Sequence, residues 1–206
     1  MRYSPEHKQE SRNRVLEAAA CAIREQGPDN VSVAAVMGEA GLTHGGFYAH
    51  FPSKNALIAA SIDFMFDQTA ERLDKRMNGK TPRDGLVSYI DHYLSEAHCR
   101  ARDTGCPIAA LGSDIPRLDD EARAAFARGM ERQHQRIAAL LAQLGWDDAD
   151  AMARSMRAEL FGALMSARLL DGAERSMILD TSKRVLLQRF HLDAASDSAS
   201  ASSPTA

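Results

Sequence analysis

Between Thr43 and Lys54 the chain reads THGGFYAHFPSK, which gathers hydroxyls, two imidazoles, a phenol and an amine within twelve residues. No carboxylate stands among them to orient a base or share a proton. The rest of the chain has no Gly-rich phosphate loop, no nucleophile elbow, and neither His-x-x-x-His nor paired Cys-x-x-Cys spacing. Catalytic residues are therefore not expected, and neither is a metal or an organic cofactor. His92, His98 and Cys99 come nearest to a metal group, and they read as exposed helix-surface residues instead. What this stretch can do is donate hydrogen bonds. Thr43, His44 and Tyr48 could reach polar edges, and the Lys54 ammonium could meet a phosphate. Gly45 and Gly46 sit inside a helical pattern, where each costs about 1 kcal/mol relative to alanine. Such a breach of local preference points to a functional demand, here a close approach of backbone to a partner.

The elements that must hold these groups are helices. Leu16, Ala19, Ala20 and Ile23 make one apolar face over about 8–26, closed by Gly27-Pro28. Ser32 offers an N-cap to a short second helix whose Val33, Val36, Met37 and Ala40 fall at helical spacing. Gly41 ends it, and Thr43 can cap a third short helix only two residues later. Phe47 and Phe51 would point together into a small core. Gly45 and Ala49 would then face outward, flanked by His44 and Tyr48. Two short helices joined so tightly have the form of a helix-turn-helix.

Pro52-Ser53 starts a fourth helix running to about Met77, and Asn78 to Pro82 is a turn cluster. Beyond it Leu86, Tyr89, Ile90, Tyr93, Leu94 and Ala97 predict one long helix ending near Gly105. A short helix follows Cys106, then helices at about 119–144, 147–170 (capped by Asp147) and 174–190. No strand is expected. From Ala194 the Ser/Ala-rich sequence predicts a disordered tail.

Composition sets limits on function. With 206 residues the chain can bury its own core. No apolar run is long enough to span a membrane, and the polar N-terminus lacks a secretory apolar segment, so a cytoplasmic location is expected. Cys21, Cys99 and Cys106 are an odd number for a disulfide framework. The net charge of −3 disfavours non-specific phosphate binding. Residues 1–14 nevertheless carry a local excess of two positive charges, Arg2, Lys8, Arg12 and Arg14 against Glu6 and Glu10.

The run from Val31 to Leu57, VSVAAVMGEAGLTHGGFYAHFPSKNAL, resembles the DNA-binding signature of the TetR family of transcriptional regulators, including the Tyr-x-His-Phe block followed by Ser-Lys. The resemblance implies an all-α protein. An N-terminal three-helix DNA-binding domain with a helix-turn-helix would occupy 1–55, and a helical ligand-binding and dimerisation domain 56–193, ahead of the tail at 194–206. It implies that Ser32 meets a DNA phosphate, that His44 and Gly45 face bases, and that Tyr48, His50 and Lys54 hold the DNA backbone. Thr43 and Gly46 complete the candidate DNA-binding set. Small residues at Gly45, Gly46 and Ala49 leave room for readout of DNA shape.

The resemblance further implies a homodimer through the helices at about 147–170 and 174–190, a palindromic double-stranded operator, and release by a small-molecule effector. The first of those helices carries Met156, Leu160, Ala163, Leu164 and Ala167 in an apolar stripe. Tyr89, Tyr93, Phe126 and Met130 are the candidate effector contacts, although residues of these types at helical spacing are also ordinary core. An alternative puts regulation at Cys106, as a thiol-based sensor of oxidants or electrophiles, with Cys99 as its resolving partner. The simpler reading buries that thiol as a small apolar residue.

Overall fold

The computed structural model describes residues 5–193, so the expected tail at 194–206 lies outside the described residues. Every element among them is helical: α1 (Pro5–Gln26), α2 (Val33–Glu39), a 3₁₀ helix (His44–Ala49), α3 (Lys54–Met77), α4 (Pro82–Tyr93), α5 (Glu96–Arg100), α6 (Pro107–Leu111), a second 3₁₀ turn (Ile115–Arg117), α7 (Asp120–Gln143), α8 (Ala149–Arg168) and α9 (Gly172–Arg189). The chain is all-α, as its periodicity requires. No helix among the described residues is long and apolar enough to cross a membrane.

Short polar side chains start the helices by satisfying first-turn N–H groups. Ser53 Oγ accepts from Ala56 N at 3.1 Å, Thr81 Oγ1 from Asp84 N at 3.1 Å, and Asp119 Oδ1 from Ala122 N at 2.9 Å. The cap of α8 is Asp148, one residue later than Asp147; its Oδ1 accepts from Ala151 N at 3.3 Å.

Two elements differ from the periodic reading. The expected long helix over 82–105 is broken after Tyr93, where Leu94 leaves the helical region at φ −96°, ψ 41°. A single hydroxyl makes the break. Ser95 Oγ donates to His92 O at 2.8 Å and accepts from His98 N at 3.1 Å, closing α4 and opening α5. The third short helix is 3₁₀, with Gly46 N bonded to Thr43 O at 3.0 Å and His50 N to Phe47 O at 2.9 Å. Gly45-Gly46 lowers the α preference of so short a segment, and Pro52 blocks its extension.

Packing divides the described residues into two units, one of 5–74 with 101–135 and the other of 75–100 with 136–193. In the first, Val15, Ala19 and Ile23 of α1, Met37 of α2, Phe47 and Phe51, Leu57, Ile62 and Phe66 of α3, Leu111 of α6 and Phe126 of α7 form one core. Within this unit α3 continues the apolar surface of the three N-terminal elements. Along the rim of α3 and α7, Arg128 meets Asp63 at 2.8 Å and Arg132 meets Asp67 at 2.9 Å. Such exposed pairs contribute about 0–1 kcal/mol each.

In the second unit α8 and α9 pack along each other, and α4 and α5 pack on them. Met156, Leu160, Ala163, Leu164 and Ala167 of α8 are all buried in this unit. Arg175 ties the start of α9 to its neighbours, donating to Leu170 O at 2.7 Å, Asp171 Oδ1 at 2.7 Å and Glu96 Oε1 at 3.1 Å. His98 is also buried, contrary to its expected place on a helix surface. Its Nδ1 lies 2.8 Å from Tyr93 O, a hydrogen bond that accounts for the burial of a polar ring.

Candidate nucleic-acid interface

The segment that presents the candidate residues is set by local hydrogen bonding. Ser32 has extended φ and ψ and caps α2, its Oγ accepting from Ala35 N at 3.4 Å, so its own O–H can still be donated outward. At the other end Leu42 N bonds Met37 O at 2.9 Å and Gly41 N bonds Gly38 O at 3.0 Å, the paired bonds of a Schellman turn. Gly41 occupies that turn at φ +67°, where a side chain would be strained. The tight reversal delivers Thr43 at the start of the 3₁₀ helix, with its hydroxyl unused in capping.

Phe47 and Phe51 are both buried, with ring centroids 5.9 Å apart, and they anchor this segment to the core. Thr43, His44, Gly45, Tyr48 and Ala49 are exposed, and Gly46 and His50 are partly buried. With three residues per turn, Gly45 and Tyr48 fall in one outward row. That differs from the expected outward pairing of Gly45 with Ala49. Tyr48 is 72% exposed, yet its ring meets the edge of Phe47 at 5.2 Å, so its phenol is held out on a braced ring.

The fold itself does not require either helical glycine. A Cβ at Gly45 would meet nothing within 4 Å, and one at Gly46 would make only ordinary contacts with Thr43 Oγ1 at 3.7 Å and Met37 Cε at 3.8 Å. Neither residue has positive φ.

Lys54 is the first residue of α3, and its Nζ donates to Asp29 O at 2.8 Å. The backbone N–H groups that open α3 lie beside it, a combination suited to phosphate. His50 Nδ1 is buried without a hydrogen-bond partner. Burial foremost, followed by the charges of Lys8 and Arg12, holds its pKa below the ordinary 6.5. His50 is therefore neutral at neutral pH and can act on DNA as a hydrogen-bonding group, not as a cation.

Arg12 braces this segment, although the motif does not single it out. Its Nη1 donates to His50 O at 2.6 Å, and its guanidinium lies 4.2 Å from the centre of the Phe51 ring. The sequence does carry a signal for it, since Arg12 shares a helical face with Val15, Leu16 and Ala19 of the core. Replacing Arg12 by alanine is expected to cost about 2 kcal/mol, because the change removes both a charge-assisted hydrogen bond and a cation–π interaction. Urea denaturation checks this, and an unchanged midpoint would show that the clamp contributes nothing. Ser53, read in the sequence as the start of this helix, caps α3 under Lys54.

The candidate effector residues are distributed between the two units. Tyr89 and Tyr93 are buried on α4, with ring centroids 5.7 Å apart, in the second. Phe126 is buried in the first, edge-on to Phe66 at 5.5 Å, and Met130 packs on the same core. Cys106 and Cys99 are buried thiols, Cys106 in the first unit and Cys99 in the second. Burial of Cys106 favours the packing role. Cys21 is only partly buried, and its thiol pKa is raised by burial first and then by Glu25 and Asp103, which makes it a poor nucleophile.

Two short helices, a glycine-closed turn and an outward row of small and polar groups above an aromatic anchor define a helix-turn-helix module of the DNA-binding class. The sequence profile described as "Bacterial regulatory proteins, tetR family" matches residues 15–61, which contain all of it. Over those residues the chain carries the DNA-binding module of the tetR family of bacterial regulatory proteins. It is 30% identical over 89 residues, 43% of the chain, to the HTH-type transcriptional regulator CymR of Pseudomonas putida, a match spanning 44% of that relative's length. It is 26% identical over 148 residues to an HTH-type transcriptional repressor of Mycobacterium tuberculosis, covering 70% of this chain and 76% of the relative. Among solved structures, a TetR transcriptional regulator from Chloroflexus aurantiacus aligns with TM-score 0.77 and 26% identity, covering 90% of this chain and 96% of that one.

Proposed function

We propose that the protein is a dimeric transcriptional regulator that binds a palindromic operator and is released from it by a small-molecule effector. The observation that carries this reading is the exposure of Thr43, His44, Gly45 and Tyr48 together on one short helix, with the Tyr48 ring braced on buried Phe47. In the major groove, His44 reads a base edge and Gly45-Gly46 lets the backbone approach the bases closely. Ser32, Tyr48, His50 and Lys54 contact phosphates, Lys54 by exchanging the Asp29 carbonyl for a phosphate oxygen. The Mycobacterium tuberculosis relative, itself a transcriptional repressor, supports repression as the mode of control.

A two-fold operator calls for a two-fold protein. The helices α8 and α9 leave Leu169 and Met177 largely uncovered and Val185 partly so, and a Cβ at Gly162 would meet open space. Those residues form the contact with the second copy. Aromatic and thioether side chains of the types at Tyr89 and Tyr93 in the one unit, and at Phe126 and Met130 in the other, suit contact with an apolar effector.

Selection of bound fragments from a genomic DNA library tests the reading, and recovery of no preferred sequence would overturn it. With the operator in hand, replacement of Lys54 by alanine should weaken binding and reduce the slope of log affinity against log salt by about one. An unchanged slope would remove Lys54 from the phosphate contacts. Replacement of His44 should instead change the ranking of operator variants.

A further inference from the structure

Arg24 lies on α1 twelve residues beyond Arg12 and is buried, at 8% exposure. Its Nη1 donates to Asp103 O at 3.3 Å. Its Nε and Nη2 are buried with no hydrogen-bond partner. Those two nitrogens form one edge of the planar guanidinium, and their parallel N–H bonds are spaced for the two oxygens of a single carboxylate. Leaving both unmet on a buried cation is costly, so the arrangement implies a partner.

The surroundings favour an anion. A second guanidinium, Arg72 of α3, acts on Arg24 from close by and donates through Nη1 to Thr104 O at 2.5 Å. The acidic neighbour Asp103 makes no hydrogen bond to the open edge, and its Oδ1 accepts instead from the Thr104 hydroxyl at 3.3 Å. Burial first, then Arg72, lowers the Arg24 pKa to about 10, which still leaves it charged at neutral pH. The neighbouring Arg72, Arg102 and Thr104 are exposed to solvent.

We propose that the Nε/Nη2 edge of Arg24, with Arg72 beside it, binds the carboxylate of a small monocarboxylate ligand beneath the 101–106 segment. A bound carboxylate ties this segment to α1, the helix whose other end clamps the DNA-binding segment through Arg12. The site uses none of Tyr89, Tyr93, Phe126 and Met130, and its binding needs no operator, so it is tested apart from the DNA-binding reading.

The full chain, labelled with ¹⁵N, is titrated with acetate and benzoate at constant ionic strength, with chloride and inorganic phosphate as control anions. The expected result is a saturable downfield shift of the Arg24 Nε–H resonance with the carboxylates and none with chloride. Arg24→Lys, which keeps the charge and loses the fork, identifies that resonance by its disappearance and should abolish the carboxylate-dependent rise in melting temperature. Arg72→Gln alters an exposed side chain, preserves the fold, and should raise the half-saturating concentration about tenfold. No saturable shift up to tens of millimolar carboxylate, or equal affinity in Arg72→Gln, overturns the proposal. A shift with phosphate but not with benzoate overturns the assignment to a carboxylate.

Discussion

Glutamate at both Leu169 and Met177 is expected to yield a folded monomer that has lost more than about a hundredfold in operator affinity. Leu169 is 82% and Met177 65% exposed in the protomer, so the exchanges disturb almost no packing within it, and helicity by circular dichroism should match wild type. In the proposed dimer the same positions are buried twice over, and each unpaired carboxylate would carry a desolvation penalty of several kcal/mol. A monomer holds one half-site only and forfeits the gain from engaging two at once, which is where the hundredfold arises. Sedimentation equilibrium and operator titration measure the two effects. An intact dimer would refute the placement of the interface, and a monomer with full affinity would refute the two-fold operator. Charges at Ala163 or Leu164 would not make this test. Both lie inside the protomer, where a charge unfolds the unit before it separates two copies.

Alanine at Gly129 should destabilise the protein by roughly 1–3 kcal/mol, although glycine to alanine inside a helix ordinarily stabilises by about 1. The sign reverses because a Cβ there would overlap Cδ2 and Cγ of Phe66. The ring has nowhere to retreat. Phe66 is buried and meets Phe126 edge-on at 5.5 Å, so any shift disturbs the packing of α3 on α7. Thermal unfolding should show a lower midpoint for Gly129→Ala. Adding Phe66→Leu should cost less in that background than in wild type, since the smaller side chain makes the room that the methyl needs. A midpoint at or above wild type would mean that α7 moves outward without cost, contrary to close packing.

Ser32, Gly41 and Phe47 could be placed from the chain alone because their structural roles rest on neighbours within about five residues. A cap bonds the N–H three residues on, a Schellman turn closes over six residues, and two aromatic residues one turn apart share a face. The same locality explains the two elements that depart from the periodic pattern. The break at Ser95 is a competition between a hydroxyl and the helix backbone that an unbroken apolar stripe conceals. The 3₁₀ geometry of His44–Ala49 differs from an α-helix by one residue in hydrogen-bond register, too little for apolar spacing to register.

The all-α class, the helix-turn-helix and the groups available to meet DNA are legible in the linear chain, because helical period, capping and turn chemistry act between residues close along it. Which of those groups are braced, spent or left unmet depends on packing between helices. Arg12 reaches His50 across 38 positions and Arg24 reaches Asp103 across 79. Gly129 is needed only because Phe66 of another helix lies against it. The apolar stripe of α8 faces its own unit, whereas Leu169 and Met177 face out. Each of these depends on how one helix is rotated and shifted against another. Ridges-into-grooves packing and the summed burial of many side chains set that rotation and shift, and no short window of sequence encodes them.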